Sequence, residues 1–123
     1  MTKILVIDDD ILVRRTISRI LEQGGYEVVL AEDGDKGVAK FRSERPDLVI
    51  TDLIMPEKEG IETIIEMRRE DPNARIIAVS GGGRVASMDF LVVASKLGAG
   101  AVLRKPFGPS ELLDCVNRAL EPA

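Results

Sequence analysis

Five short apolar runs alternate with longer segments in which apolar residues recur at helical spacing, and this alternation limits the folds open to the chain. The runs predict β-strands, because they are short and rich in valine, isoleucine and leucine. They lie at residues 3–7, 26–31, 47–51, 75–79 and 101–103. The segments between and after them predict helices at residues 11–23, 36–42, 61–69, 85–97 and 111–120. This order predicts an α/β fold, a doubly wound parallel sheet with helices on both faces.

The number of predicted strands also indicates their order. A five-stranded sheet of this kind is expected to be flavodoxin-like, with strand order 2-1-3-4-5 and a ligand site beyond the carboxyl ends of strands 1 and 3. With 123 residues, the chain suits a single domain over residues 1–123. The residues that follow Lys105 are enough for the last helix, so we expect no output domain in this chain.

Composition excludes several classes of function. The formal net charge is -4 and no basic cluster is present, which argues against direct nucleic-acid binding. Apolar stretches such as Phe90–Ala94 fall far short of the roughly 18 residues that cross a bilayer, so no membrane span is expected. The single cysteine, Cys115, cannot form an intramolecular disulfide and is expected in the core. A cytoplasmic location is the default expectation.

Acidic residues follow the first and third predicted strands. Asp8, Asp9 and Asp10 come directly after strand 1, and Asp52 follows strand 3. At about 4 Å, each pair of carboxylates costs on the order of 4 kcal/mol at an effective dielectric near 20. A hard divalent cation relieves this repulsion, and a site with few carboxylates suits Mg²⁺. The alternative is that the triplet only caps the first helix, a role that Asp10 by itself can fill.

Asp52 is the candidate nucleophile, because it ends the central strand and can face the Asp8–Asp9 pair. Lys105, after strand 5, is placed to neutralise phosphoryl oxygens as a point charge. Ser80, after strand 4, is placed to donate a hydrogen bond to one of them. Taken singly, a lysine is usually solvated and a serine after a strand is usually a turn residue. Their combination at the ends of these strands favours phosphoryl chemistry.

Four motifs resemble those of the response-regulator receiver family of two-component signalling, and they span nearly the whole chain in the family's order. They are VIDDD at 6–10, TDLIMPEKEG at 51–60, AVS at 78–80 and KPF at 105–107. The resemblance implies the following roles: Asp52 as phosphoacceptor, Asp9, Asp52 and the Ile54 carbonyl as Mg²⁺ ligands, Asp8 acting through water, Ser80 as the switch hydroxyl, and Lys105 as the family's lysine, followed by a cis bond to Pro106.

The resemblance also implies partners. A histidine kinase or a histidine phosphotransfer protein would supply the phosphoryl group, and a downstream protein would receive the signal. The chain would then be no enzyme in the usual sense, since it catalyses only its own phosphorylation and dephosphorylation. An exposed Ile11 at the rim of the acidic site would suit docking of the phosphodonor protein. The sequence leaves open whether the receiver stands alone or belongs to a larger regulator or hybrid kinase.

Three features depart from the family pattern. Val102 stands where receivers commonly carry Tyr or Phe, and its small side chain predicts that the usual aromatic movement is absent or altered. Gly81–Gly83 follow Ser80 and favour a hinge over a phosphate-binding loop, because no Gly-Lys-Ser/Thr follows. The predicted helix over 85–97 carries more apolar residues than one buried face needs, which makes it a candidate partner or homodimer surface.

Other functions fit the sequence less well. A haloacid-dehalogenase-type phosphatase would have Thr or Val at the position of Leu12 and would need further elements to enclose a substrate. A flavodoxin-like flavin binder would place phosphate where three aspartates repel it. An interaction module that works without phosphorylation would normally have lost an acidic or lysine position, and none is lost here.

Overall fold

The apolar runs form one sheet in the computed structural model, which describes residues 2–53, 60–80 and 101–121. The predicted helix over 85–97 and the Gly81–Gly83 segment lie outside these ranges. The elements within the described ranges are β1 (Lys3–Ile7), α1 (Ile11–Gln23), β2 (Glu27–Ala31), α2 (Gly34–Glu44), β3 (Leu48–Asp52), α3 (Gly60–Glu70), β4 (Ile76–Ser80), β5 (Ala101–Arg104) and α4 (Pro109–Leu120).

The sheet has the predicted order, β2-β1-β3-β4-β5, and every neighbouring pair is parallel. The flavodoxin-like prediction is therefore confirmed. Ile7 of β1 is in register with Thr51 of β3. The residues that follow them, Asp8 and Asp52, consequently leave the sheet side by side at its carboxyl edge.

Helices cover both faces of the sheet, and each face has its own core. On one face, side chains of β1 and β3 pack against Val38 and Phe41 of α2 and Ile64 and Met67 of α3. On the other, the alternate residues of the same strands pack against α1 and α4, which contribute Ile17, Leu21, Leu112, Cys115 and Val116. Burial on both faces explains why the central strands are almost continuously apolar. It also confirms the prediction that Cys115 is a core residue.

Several predicted boundaries were wrong by one or two residues. β3 and β4 each begin and end one residue later than predicted, so Asp52 and Ser80 are the last residues of their strands. α2 is longer at both ends than predicted, because the Asp33 carboxylate caps its start and Arg45 closes it in the left-handed conformation. α4 begins at Pro109, since proline suits the first turn of a helix.

Among the helices within the described ranges, none combines the length and the apolar character that a membrane span requires.

Candidate functional site

Asp8, Asp9 and Asp52 form an acidic cluster at the carboxyl edge of the sheet. One carboxylate oxygen of each lies within 4.8 Å of the others. Asp8 and Asp52 are 2% and 7% exposed, because they sit at the ends of the two central strands, whereas Asp9 is exposed in the following turn. The predicted convergence of these three residues is thus present in the structure.

Asp10 does not join this cluster. Its side-chain oxygen accepts hydrogen bonds from the backbone N–H groups of Leu12, at 2.9 Å, and Val13, at 3.5 Å. Asp10 is the N-cap of α1, in an extended conformation that suits this role. The triplet therefore divides as the sequence suggested, with one residue capping the helix and two facing the sheet edge.

Lys105 reaches the buried carboxylates from the loop after β5. Its Nζ lies 3.0 Å from Oδ2 of Asp8 and 3.4 Å from Oδ2 of Asp52. Burial by itself lowers the pKa of Lys105, but the carboxylates of Asp52 and Asp8 outweigh it and raise the pKa above its usual value. The side chain is therefore an ammonium group at neutral pH. The peptide bond between Lys105 and Pro106 is cis, as predicted.

The donor set of the acidic cluster fits a divalent cation. Two of the three carboxylates, those of Asp8 and Asp52, pair with the ammonium group of Lys105, and Asp9 adds a third negative charge close to them. All the side-chain donors are oxygen atoms, the ligands that Mg²⁺ and Ca²⁺ prefer. Ile54, whose carbonyl was predicted as a further ligand, lies outside the described residues.

Two further residues singled out in the sequence, Ser80 and Val102, lie on β4 and β5. Ser80 ends β4 in register with Arg104, so its backbone lies at the same edge of the sheet, but its side chain lies outside the described part of the structure. Val102 of β5 is 39% exposed and in register with Ala78.

Gly60 lies close to the backbone at the end of β3. It opens α3, and its N–H donates to the Leu53 carbonyl oxygen at 2.9 Å. An added Cβ at Gly60 would collide with the backbone of Asp52, which shows how closely α3 approaches the end of β3. The sequence marked Gly60 only as part of a turn motif, because this approach involves residues brought together by the fold.

Sequence reasoning missed Arg14. Its Nη1 donates a hydrogen bond of 2.6 Å to the main-chain carbonyl oxygen of Asp8. The only sequence signal is its position one turn after Asp10 on α1, and nothing in the apolar pattern distinguishes it from Arg15 beside it.

Known proteins resemble the chain in sequence and in fold. The family model of the response regulator receiver domain matches residues 4–117. The chemotaxis protein CheY of Thermotoga maritima is 37% identical over 117 residues, which cover 94% of this chain and 95% of that protein. A probable transcriptional regulator, ycf27 of Cyanophora paradoxa, is 40% identical over 110 residues, covering 89% of this chain and 44% of the regulator.

Structural comparison agrees with these matches. A response regulator receiver domain protein from Clostridium thermocellum superimposes with a TM-score of 0.90 at 34% identity, over 98% of this chain and 94% of that one. Family model, relatives and fold coincide over nearly the same residues, and the acidic cluster lies where the four motifs converge. The chain belongs to the response regulator receiver domain family of two-component signalling.

Proposed function

We propose that this receiver domain accepts a phosphoryl group on Asp52 in a Mg²⁺-dependent reaction, with a histidine kinase or a histidine phosphotransfer protein as donor. The observation that carries the proposal is the arrangement around Asp52. It ends the central strand, almost fully buried, with the Asp8–Asp9 pair on one side and Lys105 Nζ 3.4 Å away. A carboxylate held beside an ammonium group and an acidic metal site is suited to attack phosphorus.

Each residue of the site has its own role in the proposed reaction. A carboxylate oxygen of Asp52 attacks the phosphorus atom, the new O–P bond forms, and the bond to the donor's nitrogen breaks with its electron pair leaving on the imidazole. Lys105, already placed beside Asp8 and Asp52, stabilises the negative charge on the transferring oxygens. Asp8, Asp9 and Asp52 would hold Mg²⁺, which when bound supplies positive charge at the phosphoryl oxygens. Ser80 would donate a hydrogen bond to one oxygen of the product.

A small phosphodonor tests this chemistry without the cognate kinase. Incubation with acetyl phosphate and Mg²⁺ is expected to add one phosphoryl group that is stable in acid and lost in base, as an acyl phosphate should be. Chelation of the metal by EDTA should prevent the addition. Intact-mass spectra without the adduct would favour the alternative, an interaction module of the same fold that works without phosphorylation.

The division of the acidic triplet gives a prediction for Mg²⁺. Asp9→Ala should strongly weaken Mg²⁺ binding with little loss of stability, because Asp9 lies in the exposed turn and in the acidic cluster. Asp10→Ala should leave Mg²⁺ affinity nearly unchanged but lower the free energy of unfolding by about 1 kcal/mol, since it removes the N-cap of α1. Magnetic-resonance titration with Mg²⁺ and urea denaturation measure the two quantities. Equal effects of both substitutions on Mg²⁺ affinity would show that the triplet is wrongly divided.

The donor protein is proposed to dock on the start of α1. Ile11 and Leu12 are 50% and 69% exposed there, beside the acidic site. A cavity of about 300 Å³ adjoins Leu12 and is also lined in part by Lys105 and Phe107. An apolar surface that reaches Lys105 suits a partner that must bring its phosphoryl group to Asp52.

The output is proposed to be binding of a downstream protein. Relatives named as chemotaxis proteins match along nearly their whole length, whereas those named as transcriptional regulators are longer than the matched region. The predicted helix over 85–97, the candidate surface for such a partner or for a homodimer, lies outside the described residues.

A further inference from the structure

We infer that Arg14 is a positioning residue for the acidic site, which sets the direction of the Asp9 carboxylate by holding the peptide group between Asp8 and Asp9. The inference rests on the proposed function and extends it to a residue outside the acidic cluster. It stands on the hydrogen bond from Arg14 Nη1 to the Asp8 carbonyl oxygen, 2.6 Å long. A bond from a charged donor at this distance belongs to the stronger class of protein hydrogen bonds.

The carbonyl group of Asp8 lies in the turn between β1 and α1. It precedes α1, which begins at Ile11, so it takes no part in the helix's own hydrogen bonds. The N–H group of Asp8 donates a hydrogen bond of 3.2 Å to the Ala31 carbonyl oxygen, which ties the residue to β2. Arg14 therefore supplies the second anchor, and the turn that carries Asp9 is fixed at both peptide groups of Asp8.

Asp9 depends on this backbone anchor more than its neighbours do. Asp8 and Asp52 are each held by Lys105 through their own carboxylates, and Asp8 also accepts a bond from the Asp10 N–H at 2.9 Å. Within the described ranges, the Asp9 side chain forms no hydrogen bond or ion pair. Its placement toward Asp8 and Asp52 thus comes from the main chain, whose orientation Arg14 holds.

Charge and positioning predict opposite changes in metal affinity. Arg14 is a cation near an acidic cluster, so removing its charge alone should tighten the binding of a divalent cation. Loss of the anchor should weaken binding instead, because the Asp9 carboxylate then has to be ordered when the metal binds. Partners that orient metal ligands typically change affinity by about 10- to 100-fold, and for a bond to the backbone we expect the lower end.

The test is a Mg²⁺ titration of the chain followed by magnetic resonance. Arg14→Gln is expected to raise the Kd for Mg²⁺ by about tenfold, the lower end of the range for residues that orient metal ligands. Arg14→Lys keeps the charge and one donor group, so it should restore part of the affinity. Arg15→Gln is the matched control, since it removes an exposed arginine from the next position of α1. It should leave the Kd unchanged or slightly lower.

A second readout separates this role from general destabilisation. In Arg14→Gln the amide protons of Asp8 and Asp10 should exchange faster, while those of α2 and α3 keep the wild-type rates. Mg²⁺ binding by Arg14→Gln that equals or exceeds wild type would overturn the positioning role and leave the proposed function standing. A uniform rise in exchange across the domain would overturn it as well. Absence of Mg²⁺ binding in the wild-type chain would overturn both.

Discussion

Replacing Lys105 by alanine is expected to slow the phosphorylation of Asp52 by at least roughly a hundredfold, the usual effect of removing one preorganised charge donor from a transition state. It should also lower the free energy of unfolding without metal by about 2 kcal/mol, somewhat less than for a fully buried pair because the lysine side chain is 23% exposed. Both effects follow from the loss of the positive charge of the Lys105 ammonium group. The ammonium group is bonded to two nearly buried carboxylates, which would be left to repel each other.

Two features of this prediction can be checked in the same urea denaturation series. Mg²⁺ should stabilise Lys105→Ala more than it stabilises wild type, because it replaces part of the lost positive charge. The pKa of Lys105 is raised in the folded chain, so its stabilisation is fully present below the unfolded value of 10.5 and is lost only as the pH rises through the higher folded value. The difference between the two proteins should therefore be constant across neutral pH.

Lys36→Ala provides the matched control for Lys105→Ala. Lys36, in the first turn of α2, pairs with Glu32 in the loop before that helix, and its side chain is 61% exposed. Exposed ion pairs contribute roughly 0.2–1 kcal/mol, so the loss of stability should be small. Equal losses of stability from the two substitutions would contradict the assignment of Lys105 to the acidic site.

Gly60→Ala is expected to destabilise the domain by about 3 kcal/mol and to disturb the Asp52 site at the same time. The added methyl group would collide with the Asp52 carbonyl oxygen and would lie 2.7 Å from the Leu53 Cα, both of them backbone atoms. Backbone atoms cannot rotate away as a side chain can, so either α3 or the end of β3 has to shift. Either shift moves the peptide that carries Asp52.

Urea denaturation of Gly60→Ala and Gly108→Ala measures this effect against a control. Gly108 caps α4 with φ of -90°, and among the described residues an added Cβ would meet only Glu111 Oε1, at 3.9 Å. Its replacement should cost less than about 1 kcal/mol, the usual range for an N-cap. If Gly60→Ala were as stable as Gly108→Ala, the close approach of α3 to β3 would be wrong.

Elements with strong local signals could be predicted from the sequence. The bounds of β1 and α1 are those predicted. For α1 the reason is local, because Asp10 caps its start and Gly24 ends it. α2 was harder, since its first turns contain Gly34 and Gly37, which local pattern does not favour in a helix. The structure shows a tertiary reason for Gly37, where a Cβ would collide with the Ile7 side chain.

The candidate site, too, could be predicted from the sequence only in part. The acidic cluster could be predicted because parallel strands bring their carboxyl ends together, so residues that end neighbouring strands must meet. Lys105 was predicted at the same edge of the sheet because it follows strand 5, but its bonds to Asp8 and Asp52 join positions far apart in sequence and depend on how its side chain reaches back from the loop. Arg14 could not be found, because its role depends on how a long side chain folds back over a turn.

The identity of the nucleophile is tested most directly by intact-mass spectra of wild type, Asp52→Asn and Asp8→Asn after incubation with acetyl phosphate and Mg²⁺. Asparagine keeps the shape of the side chain at each position but removes the charge. Wild type should gain one base-labile phosphoryl group, Asp8→Asn should gain it more slowly, and Asp52→Asn should gain none. Labelling of Asp52→Asn to the same extent as wild type would contradict the assignment of Asp52 as phosphoacceptor.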